Sequence, residues 1–292
     1  MRNLKANLLE LIRRTSAELP DDVVQTIVRS AKQEQQGSNA QYAMNIIVNN
    51  IDMARLKSAP LCQDTGSILF FVKAPKGFDQ LAFEKAAQAA VAEATAKGYL
   101  RQNSVDSLTG KNTGNNLGPG SPSLHFHQHR GSRVDVRLIL KGGGCENVGA
   151  QYSLPDPRID ANRDLEGVRK AILDAVIQAQ GKGCGPGILG VCIGGDRATG
   201  YVHSKEQLLR TMEDVNPDRT LAALEQEIVV SANKLGIGPM GFGGATTLLG
   251  CKIGALNRLP ASYFVSVSYM CWAYRRQGFV LNSSGRIVEW LY

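Results

Sequence analysis

The chain has 292 residues, 43% hydrophobic and 20% charged, with a formal net charge of +7 and an isoelectric point near 9.1; that is ample apolar material for a core. The basic balance permits nucleic acid, but the aromatics are sparse and do not interleave with Lys and Arg, so attraction of a small dianion suits it better. No apolar run nears the ~20 residues that cross a bilayer, no secretory signal is evident, and six cysteines without a Cys-x-x-Cys pair make no disulfide framework. A reducing cytoplasm, where thiols stay available to a metal, is the expected location, with neither membrane nor nucleic acid as a partner.

Residues 1–58 predict three helices. Leu4, Leu8, Leu11 and Ile12 fall at helical spacing, and Leu19-Pro20-Asp21-Asp22 is a stop followed by a start, with acids in the new first turn. Val23, Val24, Ile27 and Val28 mark the second helix; Tyr42, Ile46, Ile47, Ile51 and Met53 mark the third. These helices are expected to form a layer over a core that begins at Pro60. A buried strand over 67–73 and an alanine-rich helix from about Gln80 to Lys97 come next. Residues 110–122 form a glycine- and asparagine-rich loop, of a kind that is usually functional or mobile.

Ser123 to Leu140 reads as a hairpin turning at Gly131-Ser132, with His125, His127 and His129 on one strand face. No cysteine or carboxylate joins those histidines locally, so a solvated face is the plainer reading. Gly142-Gly143-Gly144-Cys145 lets backbone N–H groups approach an anion, but it lacks the spacing and the Lys-Ser/Thr of a P-loop. A helix over 164–180, a strand over 188–193, and a helix opening at Asn216-Pro217 follow. Short strands near 246–253 and 261–268 and a final hairpin around Ser284-Gly285 complete a mixed α/β pattern. With no repeat and no linker, one domain over 1–292 is expected: a helical layer (1–58) on a mixed-sheet core (59–292).

The chemistry gathers at Pro60-Leu61-Cys62-Gln63-Asp64-Thr65-Gly66, where a thiol, an amide and a carboxylate stand together in a tight turn before the buried strand. Cys184 and Cys271 occupy similar irregular junctions at strand ends, whereas Cys192 and Cys251 lie in apolar runs and read as structural. Cys145, after the glycines, fits either role. Three thiolates far apart in sequence suit an iron–sulfur cluster with one iron left open as a Lewis acid. Zinc also takes thiolates, but its structural sites show closely spaced ligand pairs, and none are present. An ordinary turn holding a buried cysteine would give the same letters at Cys62.

Beyond these single motifs, the sequence resembles the α subunit of the iron–sulfur class I hydro-lyases, the two-subunit L(+)-tartrate dehydratases and class I fumarases. The resemblance runs in order from Leu19-Pro20-Asp21-Asp22-Val23-Val24 through Pro60–Gly66, Phe70-Phe71-Val72-Lys73, Leu100-Arg101, Gly110-Lys111-Asn112-Thr113-Gly114, Gly142-Gly143-Gly144-Cys145 and Gly236-Ile237-Gly238-Pro239 to Cys271-Trp272-Ala273-Tyr274-Arg275-Arg276. It implies that Cys62, Cys184 and Cys271 hold a [4Fe-4S] cluster. It implies catalysis by Asp64 and substrate binding by Gln63, Arg101 and Gly144. The expected reaction is dehydration of L(+)-tartrate to oxaloacetate, with fumarate–malate interconversion or dehydration of a related 2-hydroxy acid as the alternative and a non-catalytic metal-binding subunit as a reading of another class. A β subunit supplying the base, in an α2β2 assembly, is implied as well. One position departs: Leu259 stands where the family usually carries a histidine.

Overall fold

A computed structural model describes residues 3–292; the first two positions of the expected 1–58 helical region lie outside the described residues. The helices in chain order are α1 (Leu4–Ala17), α2 (Asp21–Ala31), α3 (Asn39–Lys57), α4 (Gln80–Ala96), α5 (Gly143–Asn147), α6 (Leu165–Ala179), α7 (Arg197–Gln207) and α8 (Arg219–Lys234). The strands are β1 (Ser67–Pro75), β2 (Ser123–His129), β3 (Val134–Lys141), β4 (Ala150–Ser153), β5 (Gly187–Gly194), β6 (Leu248–Leu256), β7 (Phe264–Met270), β8 (Arg276–Leu281) and β9 (Ile287–Trp290). The expected mixed α and β architecture with a helical N-terminal region is what forms. It is organised as two compact units, each assembled from separate stretches of chain.

The first unit takes the chain up to Asp21, then Asn49–Gly143 and Ala273–Tyr292. Its five strands run in the order β2-β1-β3-β8-β9. β1, flanked by β2 and β3, is buried at successive positions over both faces, as an interior strand covered on both sides must be. Helices α1 and α4 cover one face: Leu8, Leu11 and Ile12 meet Phe83, Ala87 and Val91 over Phe70, Val72, Val136, Leu138 and Phe279. The expected hairpin between β2 and β3 does not form. β1 lies between them, parallel to β2 and antiparallel to β3. Alternation identified both strands correctly, but it carries no information about pairing. His125, two residues into β2, stacks on Phe71 of β1 at 4.8 Å.

The second unit comprises Asp22–Val48 and Gly144–Trp272, around a sheet ordered β4-β7-β5-β6. Leu189, Val191 and Ile193 of β5 with Val265, Val267 and Tyr269 of β7 pack beneath α6 and α8. The opposite face meets α7, where a Cβ on Gly190 would run into the carbonyl of Ser204. Helix α7 is absent from the sequence reading. Its apolar stripe is weak, and its start is set by Asp196, whose carboxylate accepts from Ala198 N and Thr199 N. Nor does Asn216-Pro217 open the next helix. Asp218 caps α8, while the buried Asn216 donates to Glu225 and to the Ile253 carbonyl. Of the three N-terminal helices, α1 lies in the first unit and α2 in the second.

Candidate functional site

In the first unit the chain leaves α3, turns through Cys62-Gln63-Asp64 and enters β1. The turn is pinned at Leu61, whose N–H donates to the Ser16 carbonyl and whose own carbonyl accepts from Asn50. Cys62 is half-buried, and its Sγ accepts the backbone N–H of Asp64 at 3.4 Å. Gln63 is exposed. Asp64 is the best-held group here: Oδ1 accepts from Gly66 N at 2.8 Å and from Asn103 Nδ2 at 2.7 Å, and Oδ2 accepts from Gly143 N at 2.6 Å. Gly66 sits at φ 76°, and a Cβ there would strike the Lys141 carbonyl, so only glycine lets β1 start this close to the end of β3.

Arg101 lies on the connection that follows α4. Its guanidinium is exposed while its backbone is fixed: Thr65 Oγ1 accepts from Arg101 N at 2.9 Å and donates to Arg101 O at 2.7 Å. Thr65 is itself 3% exposed. The structure therefore brings Cys62, Gln63, Asp64 and Arg101 to one end of the first unit's sheet, with Gly143 as the donor to Asp64. A cavity of about 330 Å³ opens beside them, lined by Asp64, Asn103, Ser104, Asn116, Ser121 and Gly143 among others. Asn103 and Asn116 escape sequence reading. The asparagine-rich loop over 110–122 contains Asn116 but gives no reason to prefer it, and Asn103 lies before that loop with no signal of its own.

Cys184, Cys271, Cys145 and Gly144 belong to the second unit. Cys184 takes a left-handed backbone at φ 53°, and its carbonyl accepts from Trp272 N at 3.3 Å, tying the two cysteine-bearing junctions together. The Tyr269 ring packs against Gly183 and Gly187 on either side of Cys184, and its phenol is pushed up by burial and further by the thiols of Cys271, Cys145 and Cys184. Cys192 and Cys251 are buried in apolar surroundings that raise both thiols, Cys192 to about 12, which keeps them protonated and inert. None of the six cysteines forms a disulfide. The three histidines of β2 gather no ligand set; His129 uses both ring nitrogens within its own turn. Among the described residues no three His, Cys, Asp or Glu side chains form a preformed single-ion site. Leu259 is 73% exposed on the β6–β7 connection, beside Arg258, whose guanidinium holds the Leu259 and Pro260 carbonyls at 3.0 Å.

Among the described residues, no helix is long and apolar enough to cross a membrane. Residues 5–280 match the family described as fumarate hydratase (Fumerase). The chain is 52% identical over 296 residues to a putative class I fumarate hydratase of Geobacillus stearothermophilus, an alignment covering 100% of this chain and 58% of that protein. It thus spans little more than half the length of that relative. It is 32% identical over 274 residues to a putative L(+)-tartrate dehydratase subunit alpha of Methanocaldococcus jannaschii, covering 92% of this chain and 94% of the relative. It is also 32% identical over 263 residues to the L(+)-tartrate dehydratase subunit alpha of Escherichia coli K12, covering 89% and 85%. With the family match reaching across both structural units, the chain belongs to the fumarate hydratase (Fumerase) family of hydro-lyases.

Proposed function

We propose that this chain is the cluster-bearing half of an iron–sulfur hydro-lyase that adds or removes water at a four-carbon dicarboxylate. The observation that carries the reading is the Asp64 carboxylate, gripped by three donors directly beside the half-buried Cys62. Cys62, Cys184 and Cys271 are the residues to hold a [4Fe-4S] cluster. The donor set fits: the thiols sit on irregular junctions, no disulfide consumes them, and the Cys62 sulfur already accepts a backbone N–H. A multi-iron cluster takes each thiolate on a different iron, so it does not ask three sulfurs to meet around one ion. When bound, such a cluster supplies a Lewis acid that makes hydroxide a better leaving group.

The chain's own residues do the rest. Arg101 grips a substrate carboxylate through two parallel N–H bonds, with its backbone locked so that the guanidinium swings only from a fixed root. The Gln63 amide and the Gly144 N–H add donors to the same acid, which turns the reacting carbon toward a base. Asp64 is held as an acceptor next to the departing hydroxyl and exchanges its proton. The base itself comes from a β partner, or from the region that the longer relative carries beyond this stretch, in an α2β2 assembly.

Fumarate–malate interconversion is favoured by the 52% identical relative. Tartrate dehydration, the other reading, is favoured by the α-subunit relatives that this chain spans almost end to end. An oxygen-free assay of the chain with its partner against fumarate, L-malate and L-tartrate decides between them. Anaerobic reconstitution is expected to give a brown protein with roughly four irons per chain, and Cys62→Ala to lose both colour and turnover. A colourless chain, or one whose turnover survives Cys62→Ala, overturns the proposal.

A further inference from the structure

Asn103 is neither a thiol nor one of the substrate donors named above, yet its side-chain amide donates to Asp64 Oδ1 at 2.7 Å. The other two bonds to Asp64 come from the backbone of Gly66 and Gly143. Gly66 N, two residues away, moves with the turn itself, so the carboxylate's aim is fixed from outside the turn, by Gly143 N on Oδ2 and by Asn103 on Oδ1. Asn103 approaches from a different segment, 39 residues on.

An exposed amide would ordinarily be too loose for this duty. Here the backbone beneath it is clamped. The N–H groups of Asn103 and Ser104 both donate to Asn116 Oδ1, at 2.9 and 3.1 Å. Asn116 Nδ2 donates to the Arg101 carbonyl at 2.8 Å and to Thr95 Oγ1 at 3.0 Å. Asn116 is 2% exposed, and all four hydrogen-bonding directions of its amide are used. One buried side chain therefore sets both Arg101, which the proposed function assigns to the substrate acid, and Asn103, which touches the proton-handling carboxylate.

We infer that Asn103 is a positioning residue that sets the angle of the Asp64 carboxylate, and that buried Asn116 is the bracket registering it with Arg101. The inference rests on the role given to Asp64 above, and its test separates the two. In the enzyme assembled with its partner, Asn103→Ala is expected to lower kcat roughly ten- to hundredfold while KM for L-malate or L-tartrate moves less than about threefold. Asn103→Asp keeps the shape but removes the donor and sets a like charge against Asp64, so it falls below alanine. Asn103→His, whose ring N–H reaches the same place, recovers part of the loss. A purely structural Asn103 would tolerate the isosteric aspartate best, the opposite order.

Asp64→Asn tells the two readings apart. An active Asp64→Asn enzyme overturns the role of Asp64. An inactive one, together with an Asn103→Asp enzyme of wild-type kcat, overturns Asn103 alone. A readout free of turnover uses the cluster-free full chain: the Asn103 side-chain amide protons, read by NMR, are expected to shift on Asp64→Asn. If they stay in place, the contact is absent and the inference falls.

Discussion

A carboxylate accepting three hydrogen bonds at 2.6–2.8 Å has little freedom left, and the first unit uses Gly66 to make that arrangement fit. Replacing Gly66 with alanine forces a left-handed residue into about 1–3 kcal/mol of backbone strain and drives a methyl group into the Lys141 carbonyl. Gly66→Ala is therefore expected to lower the melting temperature and to displace Asp64, because the same residue donates to its Oδ1. Differential scanning calorimetry of the variant checks the first effect and turnover the second. At this scale the sequence was legible wherever the chemistry is contiguous: Cys62, Gln63 and Asp64 announce themselves side by side. Asn103 and Asn116 did not. Their meaning lies in bonds to partners up to 39 residues away, and asparagines in connecting segments look alike until the chain folds.

At the scale of elements, helices with caps and strong apolar stripes could be read, and strand partners could not. The starts of α4 and α6 follow from Asp79 and Asp164, whose side chains accept from the first turn. The position of β1 between β2 and β3 depends on long-range burial that no local pattern encodes. A polar network tying β6 to α8 and to the chain after α7 carries a second set of expectations. Glu225 accepts from Arg210, Asn216 and Ile253 N, while Lys252 donates to Asp214 at 2.6 Å. Asn216→Ala removes two buried hydrogen bonds and is expected to cost about 1–3 kcal/mol, read from urea unfolding. Burial works to raise the Asp214 carboxyl, but bonds from Arg210 and Lys252 outweigh it and hold it below the ordinary range. A carboxyl lowered in the folded state stabilises above its unfolded value of about 4 and loses that stabilisation as pH falls through the folded value. The urea midpoint should therefore drop below about pH 4, and less steeply in Asp214→Asn than in the wild type.

For the molecule as a whole, the two units are built from interleaved stretches, which explains why a search for linkers finds none. A boundary that falls inside helix α3 and within the run of glycines leaves no compositional mark. Family membership was legible because its motifs are spread over nearly the full length in fixed order, whereas substrate choice was not, because the relatives it matches include both a fumarate hydratase and tartrate dehydratase subunits. The chain covers 58% of one relative and 94% of another. That contrast leads to an expectation at this scale: the purified chain with its cluster rebuilt turns over no dicarboxylate until the complementary polypeptide is added. Robust activity from the lone chain in an anaerobic assay would contradict it.

The small hairpin beyond Asn103 closes on itself. Val105 pairs with Asn112, and Asp106 Oδ1 takes up Leu108 N, Thr109 N and the Thr109 hydroxyl at its tip. Because Asn116 and Thr65 anchor the segment on the near side of that excursion, residues 107–110 are insulated from the reacting groups. None of residues 107–110 lines the cavity beside Asp64, so evolution, or an engineer, is free to lengthen, trim or recharge that tip while the walls of the cavity stay as they are.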